Sequence, residues 1–91
     1  MDMLTMLKLN LEIIPEFTAY DLYLANLLEA AKQMIAREGI ALTESAEDVN
    51  LVVMYAAWLY RKRAEDNPVM PRMLRWALNN RLFSQKVSGN V

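Results

Sequence analysis

Cysteine and histidine are both missing from this 91-residue chain. Their absence removes disulfides, thiolate nucleophiles, Cys/His zinc sites and imidazole acid–base chemistry together. A chain without cysteine fits a reducing compartment such as the cytosol. Only two glycines occur, Gly39 and Gly89, too few and too far apart for a glycine-rich phosphate loop. The longest apolar run, Leu51 to Tyr60, would rise about 15 Å as a helix. That is roughly half a bilayer, so neither a membrane span nor a membrane partner is expected. The opening MDMLTMLKLN has an acid at its second position and an interrupted apolar stretch, so it does not read as a secretory signal.

What the chain does have is apolar mass: 55% hydrophobic residues, with seven Met, two Trp and four Tyr. A chain of this length makes one domain and hides about 60–65% of its unfolded surface. Apolar surface in excess of one small core is expected to go into contacts between subunits. The net charge of −1 conceals an uneven distribution. Before Val49, Lys8, Lys32 and Arg37 face nine acids; from Val49 on, seven cations face Glu65 and Asp66. Two readings follow: the halves neutralise each other within the fold, or they form an acidic face and a basic face.

The pattern predicts an all-α bundle of about four helices. Asp2 to about Asn10 reads as a short opening helix, with an acid at its N-terminus, and Pro15 stops whatever precedes it. Thr18 and Asp21 have the spacing of a capping box for a long helix over Tyr20–Glu38. Leu24, Leu27, Leu28, Ala31, Met34 and Ile35 form its buried stripe, and Gly39 supplies the left-handed position that ends it. Ser45 repeats the cap pattern before VNLVVMYAAWLYRKR, a helix apolar on more than one side that neighbours must cover on more than one side. Glu44, Glu47 and Asp48 complement its positive end, and Arg61, Lys62 and Arg63 its negative end.

After DNPVMP, Pro71 opens a last helix to about Phe83, with Met70, Met73, Leu74, Ala77, Leu78 and Leu82 on its apolar face. The expected core anchors are Leu24, Leu28, Val52, Val53, Trp58, Leu74 and Leu78. Residues 1–83 then form one helical domain, and 84–91, polar and without period, a flexible tail that orders on meeting a partner.

No catalytic, metal or cofactor residues emerge. Glu44, Glu47 and Asp48 sit where a helix start expects acids, without the ligand order of a calcium loop. Ser45, Ser84 and Ser88 have no histidine partner. The chain is therefore not read as an enzyme. Nucleic-acid binding has more behind it: Arg72, Arg75 and Arg81 share the last helix with Trp76, as a DNA-binding or packaging accessory protein would use them. Against it stand a pI near 5.3 and a connection unlike a short helix-turn-helix turn.

The order of elements resembles the small head–tail connector proteins of long-tailed double-stranded DNA phages. The likeness runs over roughly residues 4 to 86. It lies in a short first helix, a long helix ending in Arg37-Glu38-Gly39, the run YAAWLYRKR, and a proline-bounded loop before MPRMLRWALNNRLF. The family's third helix ends in His-Trp-Tyr before an Arg; here Trp58 and Tyr60–Arg61 stand there, without the histidine. The resemblance implies a virion protein, assembled in the bacterial cytoplasm, that forms a ring with copies of itself below the portal. Its further partners are tail or tail-completion proteins and the double-stranded DNA that passes through without sequence-specific contact. In such a ring the acidic half of one copy would meet the basic half of the next. Glu29, Glu47 and Asp48 are candidates on one side, and Arg61, Arg63, Arg72, Arg75 and Arg81 on the other, at a subunit interface or the channel. A helical regulator that binds one host protein is the remaining reading.

Overall fold

In a computed structural model, which describes residues 1–89 with side chains to Val87, the chain is an all-α four-helix bundle. The helices are α1 (Met3–Asn10), α2 (Asp21–Arg37), α3 (Ala46–Lys62) and α4 (Arg72–Gly89). The helix ends show why they stand where they do. Asp2 caps α1 by accepting the Thr5 amide at 2.7 Å, and Ser45 caps α3 through the Asp48 amide at 3.2 Å. Gly39, at φ 94°, closes α2 as expected. The end of α1 uses a less usual residue. Glu12 takes φ 62°, the Glu12 amide donates to the Leu9 carbonyl, and the Ile13 amide donates to that of Lys8 at 2.8 Å. This is the left-handed closure that glycine normally serves, made here by a residue with a Cβ.

Two boundaries differ from the sequence reading. Thr18 does not cap α2 with its hydroxyl; its carbonyl accepts the Asp21 amide in a turn, and Tyr20 precedes the helix without a side-chain cap bond. The Asp21 carboxylate is taken instead by Lys8, whose buried ammonium donates to it at 2.8 Å and to the Pro15 carbonyl at 2.7 Å. The second correction concerns the tail. The last helix does not stop near Phe83 but runs on to Gly89, so Ser84 to Gly89 are helical; Asn90 and Val91 lie outside the described residues. Gln85 explains the extension, because its amide donates to the Gly39 carbonyl at 2.8 Å and accepts from the Ala41 amide at 2.6 Å.

The core forms around α3, where Leu51, Val52, Val53, Tyr55, Ala56, Ala57 and Leu59 are all buried. The widest contact is with α2, which contributes Leu24, Leu28, Ala31 and Ile35; α1 adds Leu7 on the same side. α4 runs back along α3, so that Arg81 meets Asp48 near the start of α3 while Met73 and Val69 lie beside Trp58 and Arg61 near its end. Its packing on α3 is thinner than that of α1 or α2, with only Leu74 and Leu78 of its apolar residues fully buried among the described residues. Met73, expected on the inner face, is 68% exposed, and Trp58 is only half-buried rather than a core anchor; the other six anchors are buried. A Glu12→Gly substitution relieves the left-handed strain and is expected to raise stability by about 0.5–1 kcal/mol, read as a higher urea midpoint at unchanged slope.

Candidate interaction surface

The charged residues singled out from sequence divide into those used within one copy and those left at the surface. Asp48 belongs to the first group. It is 1% exposed, and Arg81 grips its carboxylate with two bonds, Nε to Oδ1 at 2.6 Å and Nη2 to Oδ2 at 3.0 Å. Thr43 donates to Oδ2 from both its amide (2.7 Å) and its hydroxyl (2.8 Å). Arg81 also reaches the Ala41 carbonyl at 2.9 Å, which fixes α4 to the chain entering α3. The guanidinium and the Thr43 donors outweigh burial and hold the Asp48 carboxyl down at about 2, while the carboxylate pushes Arg81 up. Arg75 makes a similar pair across to α2, with Nη1 and Nη2 at 2.8 and 2.9 Å from the two Glu38 oxygens. Asp48 and Arg81 are thus spent inside one molecule, a correction to their expected place at a subunit interface or channel, while Arg75 is paired within the molecule and keeps a partly exposed side chain.

The cations at the end of α3 are also occupied. Arg61 donates to the backbone and side-chain oxygens of Asn10 at 3.1 and 3.2 Å, joining the ends of α3 and α1. Lys62 lies 4.7 Å over the Trp58 ring. Arg63 lies 3.8 Å over the Tyr60 ring while donating to the Tyr60 carbonyl. Of the triplet expected to complement the negative end of α3, Arg63 bonds a carbonyl of that end, while Arg61 and Lys62 bond Asn10 and cover Trp58. Glu29, exposed, stands 3.7 Å from Lys32 one turn on. Glu47 and Arg72 are exposed and, among the described residues, form no ion pair.

Two apolar surfaces remain. Along α4, Met73, Trp76, Phe83 and Val87 recur at helical spacing and are each more than half exposed. Beside this stripe a groove follows the α3–α4 seam as two hollows of about 300 and 270 Å³ that meet at Met54. Trp58 lines the larger one, and its Nε1 is shut off from solvent without a hydrogen-bond partner. The second surface lies between α1 and α2, where Ile14, Phe17, Tyr20, Leu22 and Tyr23 are exposed and Phe17 meets Tyr20 edge-on at 5.3 Å. Tyr20, Tyr23, Tyr60 and Arg63 enclose a shallow hollow there of about 190 Å³. Sequence reasoning passed over this surface, although five large apolar residues in ten positions around Pro15 were a signal available to it.

Among the described residues, no group of three or more acids, histidines or cysteines is placed to hold a metal ion, and no helix is long and apolar enough to cross a membrane. Comparison with protein-family models, curated proteins and solved structures found no match.

The Asp48–Arg81 pair has two measurable consequences. Arg81→Met strands a buried carboxylate and should cost about 3–5 kcal/mol in urea unfolding, with part recovered by adding Asp48→Asn. With the folded carboxyl held at about 2, below its ordinary value of 3.8, this pair stabilises fully above about pH 4. A contribution of about 2 kcal/mol should then vanish as pH falls from about 4 to about 2, and the double variant should lack that part of the acid transition.

Proposed function

We propose that this chain is a phage virion protein, a head–tail connector that forms a ring between portal and tail, extends the DNA channel and presents a docking platform for the tail. One observation carries the reading: the last helix turns an apolar stripe to solvent that nothing else in the described chain covers. Met73, Trp76 and Phe83 are 68%, 62% and 70% exposed, an arrangement typical of a surface made to be buried by another protein. The surface area points the same way. A compact monomer of 10.5 kDa would expose about 5,400 Å², against 6201 Å² here. The radius of gyration is 13.8 Å, against about 12 Å for a compact chain of this length. The molecule is a flattened block of 46 × 32 × 18 Å.

A ring supplies the missing cover from neighbouring copies, and the portal and tail proteins take the remaining faces. Channel DNA then passes without base-specific contacts. The DNA-binding reading loses two of its three arginines, since Arg75 and Arg81 already neutralise Glu38 and Asp48.

The test is light scattering coupled to gel filtration across concentration, alone and with the portal protein encoded in the same genome. Concentration-dependent rings, or co-elution with the portal, are expected. A chain that stays monomeric in both settings and binds duplex DNA with a steep loss on added salt would instead be the DNA accessory protein.

A further inference from the structure

Charge separates the two exposed apolar surfaces. α4 contains no acid: its cations are Arg72, Arg75, Arg81 and Lys86. With Arg75 and Arg81 paired to Glu38 and Asp48, Arg72 and Lys86 are the exposed cations of α4 that, among the described residues, have no ion-pair partner. The chain from Leu9 to Ala31 is the converse, with four acids and no cation. Within it Asp21 is held by Lys8 and Glu29 stands near Lys32, while Glu12 and Glu16 are exposed and unpaired among the described residues beside Ile14 and Phe17. Two cations adjoin this surface: Lys8, buried beneath it against the Pro15 carbonyl and Asp21, and Arg63, stacked on Tyr60. Glu47 and Glu65 border the groove from the α3 side of α4.

We infer that the α4 stripe of one copy docks on the Ile14–Phe17–Tyr20 surface of a second copy, a head-to-tail contact with Arg72 and Lys86 against Glu12 and Glu16. Two copies meeting α4 to α4 would set cations against cations, and the other like pairing would set acids against acids. The unlike pairing matches the apolar faces and sets the unpaired cations of α4 against the unpaired acids Glu12 and Glu16. Because each copy carries both surfaces, the contact repeats from copy to copy and closes into a ring or runs on as a filament. Two contacts of ordinary size per copy would cover about a quarter of its 6201 Å² surface. This rests on the assembly reading above and names the faces that assembly uses.

The experiment makes two one-sided variants, Trp76→Ser/Phe83→Ser and Ile14→Ser/Phe17→Ser, with circular dichroism to check that helix content is kept. In sedimentation velocity the native chain is expected to associate, and each variant alone to associate more than about tenfold more weakly. An equimolar mixture of the two variants should give dimers and nothing larger, because one intact face of each kind remains. In a parallel arm, Arg72→Glu/Lys86→Glu should lose association at moderate salt and regain it when Glu12→Lys/Glu16→Lys is added to the same chain. If the native chain and both variants associate equally, or the mixture forms no dimer, this contact is wrong while the assembly reading stands. A native chain monomeric at its highest soluble concentration also overturns the contact; the portal experiment then decides whether the assembly reading falls with it.

Discussion

A helix that is apolar around most of its circumference has to be enclosed, and α3 sets that requirement for the whole molecule. Seven of its residues from Leu51 to Leu59 are buried, so water must be excluded from more than one side at once. α2 meets the requirement on one flank with a regular stripe of Leu24, Leu28, Ala31 and Ile35, and α1 extends it with Leu7. The remaining flank falls to α4. Among the described residues no further helix lies outside α4, and so α4 stands between the core and solvent on this flank.

The way α4 is attached follows from that position. Two leucines give it a narrow apolar seam, and its remaining hold is polar: Arg81 on Asp48 and Ala41, Arg75 on Glu38, and Gln85 on Gly39 and Ala41. Direction comes from these bonds in a way that apolar contact alone does not supply, since each fixes the rotation of α4 about its own axis. With that rotation set, Trp76 and Phe83 are carried to the outside. The apolar stripe is therefore a consequence of satisfied buried charge and not a failure of packing. The same bonds reach past Phe83 to Gln85, and this is why the helix continues through residues that have no apolar period of their own.

Legibility tracked the range of the interaction. Helix number, the Ser45 cap, the Gly39 closure and six of the seven expected core anchors were readable, because each depends on residues within a turn or on a repeating period. Failures came where a side chain had two local options and a distant partner chose between them. Asp21 could have served a cap; Lys8, thirteen residues earlier, took it. Asp48 looked like a helix-dipole acid; Arg81, thirty-three residues later, made it part of the interior. Met73 had the right spacing for the core, but the α3–α4 seam is too narrow to include it.

The sequence by itself determined that the chain is helical, the caps that begin α1 and α3, and that one helix must be surrounded, since periodicity, capping and apolar content are local properties. It also excluded chemistry that needs cysteine or histidine. Only the tertiary structure decided which charges are consumed inside the molecule and which remain outside, because ion pairs between helices depend on the angle and rotation at which the helices cross. That choice leaves Arg72 and Lys86 on one surface and Glu12 and Glu16 on another, each beside apolar side chains with nothing covering them within the described chain.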